Sequence, residues 1–157
     1  MGIALVTGSS SGIGLATAVT LARGGHKVIA TMRNLDGAHE LQKIVAAEKL
    51  PVEVAALNVD DDSSVDSAVG KVLAEHGRID VLVNNAGIGS RGSVEEVPMA
   101  VFRQIMETNF FWCAALYQGS NSGHARTSSW LHRQCNLSRR PNGFGCASTL
   151  RRFQVGF

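Results

Sequence analysis

The chain has 157 residues, 45% of them apolar and 18% charged, with a formal net charge of +2. That length supports one globular domain with a real core and excludes two ordinary ones. Plentiful aliphatic residues argue against wholesale disorder, and the apolar runs are too short for a transmembrane helix. The opening Met1-Gly2-Ile3-Ala4-Leu5-Val6-Thr7-Gly8 lacks the basic flank and cleavage site of a secretory signal, so a cytoplasmic location is expected.

The averages hide a break. Residues 1–107 hold all thirteen acids and nine of the fifteen bases, whereas residues 108–157 hold six Arg and no acid. The last Lys is Lys71, and every Cys and Trp lies beyond residue 111. Val, Ile, Leu and Met number thirty-five in residues 1–111 and five in residues 112–157. A segment so poor in aliphatics buries little surface against the entropy of ordering it. The chain therefore divides into a patterned region, 1–111, and an unpatterned Arg-rich tail, 112–157.

Within the patterned region Ile3 to Val6 reads as a strand buried on both faces and stopped by Gly8. Helical spacing runs from Ile13 through Leu21 and Ala22, and Gly24-Gly25 ends it. Lys27 to Thr31 is a second strand. A helix from Asp36 or Gly37 to Glu48 follows, closed by Pro51. Val52 to Val59 is a third strand. Asp62-Ser63 resembles a helix N-cap, and Val65, Ala68, Val69 and Val72 form the stripe of a helix ending at His76-Gly77. Ile79 to Val83 is a fourth strand. Pro98 opens a last helix carrying Phe102, Ile105 and Met106. Strands alternating with helices predict an α/β, Rossmann-like, doubly wound parallel sheet. It is incomplete, with about four strands, and an irregular C-terminal tail follows.

Three places carry chemistry. Thr7-Gly8-Ser9-Ser10-Ser11-Gly12-Ile13-Gly14 joins the first strand to the first helix. Gly8 suits a sharp turn, Gly12 lets backbone approach a pyrophosphate, and Gly14 lets helix pack on strand. The helix N-terminus offers free N–H groups to phosphates. The second place is Thr31-Met32-Arg33-Asn34, where such folds read the ribose. No acid is present to bond both ribose hydroxyls, and Arg33 can pair with a 2′-phosphate, which favours NADP(H) over NAD(H). The third is Asn84-Asn85-Ala86-Gly87, at the ligand edge of the sheet.

As a set, T-G-S-S-S-G-I-G at 7–14, I-D-V-L-V-N-N-A-G at 79–87 and M-E-T-N-F-F at 106–111 resemble the short-chain dehydrogenase/reductase family. The resemblance covers residues 1–111. It implies hydride transfer between a nicotinamide cofactor and an alcohol or carbonyl substrate. It assigns cofactor binding to Thr7, Gly8, Ser10, Gly12, Ile13, Gly14, Arg33, Asn58, Asn85, Ala86 and Gly87. Asn58 stands where the family usually has an Asp that contacts adenine. Asn84 matches a sheet-stabilising Asn. Asn109 matches an active-site Asn whose backbone helps hold a water and a Lys, and is the only catalytic remnant. A-T-M-R-N at 30–34 resembles NADP-preferring retinol- or steroid-type members.

The resemblance also requires a Ser, a Tyr and a Lys four residues after the Tyr. The Lys lowers the Tyr pKa, because a free Tyr titrates near ~10 and is a poor base at neutrality. The single Tyr is Tyr117, and Asn121 lies four residues on. Little or no dehydrogenase activity is therefore expected. The fourth strand is expected to lack its neighbour and to expose an apolar edge. A family-type oligomer is not expected, since its helices are lost. Two further readings are a non-catalytic NADP-binding module and a non-folding product.

The tail is expected to be disordered or out of frame. Codons allowed for Trp112 to Asn121, read one base later, give Gly-Ala-Leu-Arg-Cys-Ile-Lys-Ala-Val. Those for Leu131 to Arg140 give Cys-Ile-Val-Asn-Val-Thr-Ser-Ala-Gly, a strand and a Ser-bearing turn. One extra base near the Phe111 codon would produce the acid-free, Arg-rich composition. The six Arg are scattered without a nucleic-acid motif, so no nucleic-acid partner is expected. Cys113, His124, His132, Cys135 and Cys146 lack the paired spacing of a zinc site, and no metal is expected.

Overall fold

The computed structural model describes residues 1–113, Leu116, and the backbone of residues 131–140 and 143–151. The elements are β1 (Ile3–Thr7), α1 (Gly12–Arg23), β2 (Lys27–Met32), α2 (His39–Glu48), β3 (Val52–Ala56), α3 (Asp62–His76), β4 (Val81–Asn84) and α4 (Met99–Met106). The backbone of β5 (Leu131–Arg140) and β6 (Gly143–Arg151) completes the set. The sheet order is β3-β2-β1-β4-β5-β6. The first four strands run parallel, as the alternation predicts.

Alternate residues of each central strand face opposite layers. Ala4 and Val6 of β1, Val28 and Ala30 of β2 and Val83 of β4 pack with Leu15, Ala18 and Leu41 of α1 and α2. Leu5, Ile29 and Leu82 face the other way, onto Val65, Val69 and Val72 of α3. Both faces of β1 are dry, which is why its sequence is an unbroken apolar run.

Local signals set most boundaries. The cap of α3 is Asp61, one residue before the expected Asp62-Ser63, and its Oδ1 accepts the N–H groups of Ser63 (3.0 Å) and Ser64 (3.3 Å). Bonds from the Ser63 hydroxyl and the Ser64 N–H hold its carboxyl below the usual range. The second helix begins with a 3-10 turn, Leu35–Ala38, and becomes α-helical at His39, later than expected. Asn34 explains the turn, because its Oδ1 accepts from Asp36 N–H at 2.9 Å. β3 ends at Ala56, before the expected Val59. β4 starts at Val81, after the expected Ile79.

Two findings bear on the tail. The packed pattern continues past Phe111, because Thr108, Trp112 and Leu116 are buried at four-residue spacing. β4, expected to be an edge, has β5 beside it in parallel, from Val81↔Leu131 to Asn84↔Gln134. β6 pairs antiparallel on β5. Where irregular chain was expected, the backbone of these two segments is extended. The expectations for Tyr117, His124 and Trp130 fall outside the described residues. Among the described residues no helix is long and apolar enough to cross a membrane.

Leu5 is fully buried between α3 and the sheet. Leu5→Ala should cost about 2–5 kcal/mol, and Asp61→Ala about 1 kcal/mol, in denaturant unfolding followed by circular dichroism.

Candidate functional site

The chain turns to β2 on one side of β1 and to β4 on the other, so a crevice opens at the carboxyl ends of these strands. A cavity of about 310 Å³ lies there. Gly8, Ser10, Ser11, Ile13 and Gly14 line it from the first turn, Met32 and Arg33 from the end of β2. Leu57, Val59 and Asp60 line it beyond β3, and Asn85, Ala86, Gly87 and Ile88 beyond β4, with Thr108 at the back.

The first turn is built by close approach. Gly8 has φ +67°, a left-handed conformation that other residues adopt only at a cost. A Cβ on Gly14 would collide with the Gly8 carbonyl and with Asn85 Nδ2. α1 therefore starts pressed against the end of β1. Its N-cap, Ser11, makes no side-chain cap bond, and no acid occupies its first turn. The leading N–H groups lack a side-chain acceptor, and the helix dipole favours an anion there. Ser9 fixes the turn from behind, donating its N–H to Thr31 O and its hydroxyl to Val6 O, both at 2.9 Å.

Thr7 and Asn85 lock the two ligand-side loops together. Thr7 Oγ1 accepts the N–H groups of Asn85 (3.0 Å) and Ala86 (3.1 Å). Asn85 Nδ2 donates to Thr7 O (2.9 Å) and Gly8 O (3.1 Å). Asn109 acts the same way farther along. Its Oδ1 accepts from Ile88 N–H at 2.8 Å and its Nδ2 donates to Ile88 O at 2.7 Å. Asn109 does not line the cleft, and its side chain, not its backbone, makes this tie. Asn84 is buried in β4 with both amide atoms unpartnered among the described residues, so its side chain makes no sheet-stabilising bond there.

The cleft gathers Gly8, Ser10, Ile13, Gly14, Arg33, Asn85, Ala86 and Gly87 of the expected set. Thr7 and Gly12 flank it. Asn58 stands off it, with its Oδ1 accepting from Asp60 N–H at 3.4 Å and its own N–H donated to Ser64 Oγ at 2.9 Å. Asp60 lines the cleft two residues farther on. The sequence carried no sign of that choice, because Asp60 opens a run of three acids that reads equally well as a helix start. Leu57 and Val59 also line the cleft although they read as ordinary core positions, whereas Met32 and Thr108 fall in stretches the sequence already singled out. Arg33 is exposed and makes no ion pair among the described residues, which leaves its guanidinium free for an anion.

Two other groups lie apart from the cleft. Glu53, Glu75 and His76 cluster at the opposite end of the sheet. The Lys27 ammonium (2.8 Å), helped by His76, holds the Glu53 carboxyl below its usual range. Cys113 is half-buried, and desolvation pushes its thiol up to about 11. Burial thus favours the protonated thiol at neutral pH.

Asn85→Ala removes both amide bonds to the first turn. It should lower stability by about 1–3 kcal/mol in denaturant unfolding. Gly14→Val, whose side chain would collide with the Gly8 carbonyl, should lower stability by about 1–3 kcal/mol in the same assay.

The short chain dehydrogenase family model matches residues 2–119. An uncharacterized oxidoreductase of Bacillus subtilis is 47% identical over 111 residues, covering 69% of this chain and 39% of the relative. Human retinol dehydrogenase 8 is 40% identical over 127 residues, covering 78% of this chain and 40% of the relative. A solved metagenomic short-chain oxidoreductase in complex with NADP superposes with a TM-score of 0.72 at 30% identity, covering 78% of this chain and 56% of that one. The chain thus spans about two-fifths of the length of these curated relatives.

Proposed function

Because the chain belongs to the short chain dehydrogenase family, we propose that it is the dinucleotide-binding half of an NADP(H)-linked alcohol/carbonyl oxidoreductase. The observation that carries the reading is the cleft at the sheet's switch point, with an uncapped helix N-terminus at one end and a free arginine at the other. The α1 N–H groups and the turn from Gly8 to Gly14 hold the pyrophosphate. Arg33 takes the 2′-phosphate, and the NADP complex of the metagenomic relative supports that choice. Leu57, Val59 and Asp60 border the adenine in place of Asn58. Asn85, Ala86 and Gly87 face the nicotinamide half. Asn109 positions that loop through Ile88.

When bound, the nicotinamide supplies or accepts the hydride. This chain supplies no proton donor for the substrate oxygen. Tyr117 has Asn121 four residues on, and no Lys follows Lys71 to depress a tyrosine pKa. As it stands the chain binds cofactor without turnover, and the break at residue 112 marks a change of reading frame. The substrate of the whole protein is an alcohol or carbonyl compound. The cytoplasm is its proposed location.

Fluorescence titration should show saturable NADPH binding. Arg33→Ala should weaken NADPH binding about tenfold, a loss of ~1.4 kcal/mol, and leave NADH almost unchanged. Equal weakening of both cofactors would remove Arg33 from the 2′-phosphate. No saturation with either cofactor would overturn the cofactor reading itself.

A further inference from the structure

We propose that the codons of residues 112–157 carry the missing half of the active site, one base out of register, including its tyrosine and its lysine. The inference rests on the oxidoreductase reading above and goes beyond it by placing both groups at named codons.

The structure supplies two observations. The backbone of β5 lies parallel to β4, with Val81, Leu82, Val83 and Asn84 opposite Leu131, His132, Arg133 and Gln134. A parallel strand between neighbours in a doubly wound sheet is covered on both faces and reads as a near-continuous apolar run. Leu-His-Arg-Gln is the wrong sequence for that register. Read one base later, the same four codons begin Cys-Ile-Val-Asn. The code narrows these choices sharply. His132 followed by Arg133 can yield only Ile or Thr, and Gln134 followed by Cys135 only Asn or Ser.

The second observation sits where the composition changes. Trp112 is buried, and its indole N–H has no acceptor among the described residues. A buried unpaired donor is a defect. Trp and Cys codons leave no freedom here, because TGG followed by TGT or TGC, read one base later, always begins with Gly. The large side chain and its unpaired donor both disappear in the shifted reading.

The same shift extends beyond these segments. Leu150-Arg151-Arg152-Phe153-Gln154-Val155 can be encoded as CTA CGC CGC TTC CAA GTG. One base later this reads Tyr-Ala-Ala-Ser-Lys. The lysine stands four residues after the tyrosine, the spacing whose absence from the printed chain removes its activity. Gln154 followed by Val155 can give only Lys or Arg, whatever codons are used. One displacement therefore provides a buried strand at the β5 register, a Ser-bearing turn after it, and a Tyr-x-x-x-Lys pair. It also dissolves the Arg excess, since a CGN codon read from its second base gives Val, Ala, Asp, Glu or Gly.

The test is the nucleotide sequence of the gene from Thr108 to Phe157, read from fresh genomic DNA. The proposal requires a Leu150 codon ending in A, an Arg151 codon beginning with C, and CAA for Gln154. A Leu150 codon ending otherwise, an AGA or AGG codon for Arg151, or CAG for Gln154 overturns it. NADPH titration of the chain as it stands fails or succeeds independently of these codons. A wrong frame and a wrong cofactor reading are thus told apart.

Discussion

The close contact between the end of β1 and the start of α1 governs the site. Gly14 lies so near the Gly8 carbonyl and Asn85 Nδ2 that no side chain fits between them. This contact brings the helix N-terminus to the carboxyl edge of the sheet, where Ser11 gives it no side-chain cap. Asn85 sits at the same junction and bonds both Thr7 O and Gly8 O. The loop after β4 is thereby referenced to the loop after β1. These bonds fix the two walls of the cleft relative to each other, and preorganisation of this kind reduces the ordering cost of binding.

Hydrophobic burial sets the frame around that junction. Two separate layers pack on the sheet, and adjacent residues of β1 serve different layers. Strong patterning made this legible. Ile3 to Val6 is apolar without interruption because both faces are covered. Val65, Val69 and Val72 mark a helix with one buried face. Boundaries were read less well where side chains bond locally to backbone. Asn34 draws Leu35–Ala38 into a 3-10 turn, and Asp61 rather than Asp62 accepts the first N–H groups of α3. Such bonds depend on one rotamer and leave no periodic trace.

The candidate site was legible where backbone geometry dictates residue type. Glycines at 8, 12 and 14 and the Asn-Asn-Ala-Gly turn announce themselves because few other residues can replace them. Asn58 was legible only as a position in a pattern. Its amide turns toward Asp60 N–H, and the flanking Leu57, Val59 and Asp60 meet the cleft. That wall of the cleft is mostly contact surface, and contact surface made of ordinary aliphatics looks like core. Asn109 was recognised, but its action through Ile88 emerges only when the two loops are folded together.

The tail shows how composition can report on something other than folding. The second base of a codon largely sets whether a residue is apolar. When the true frame lies one base later, the second position holds the true codon's first base, and the base that sets apolar character is pushed into the degenerate third position. Hydropathy pattern and charge balance are then lost together. Residues 112–157 fit that expectation, with only five aliphatics and no acid. A natural linker loses its aliphatics but keeps its acids and its lysines. A nucleic-acid arm gains clustered lysines and arginines. Neither process yields six scattered Arg, no Lys, no acid and a buried indole without an acceptor. A coding sequence read out of phase is the reading we propose for this pattern, and the four residues registered beside β4, Leu131 to Gln134, lack the apolar run that a parallel strand inside a sheet calls for.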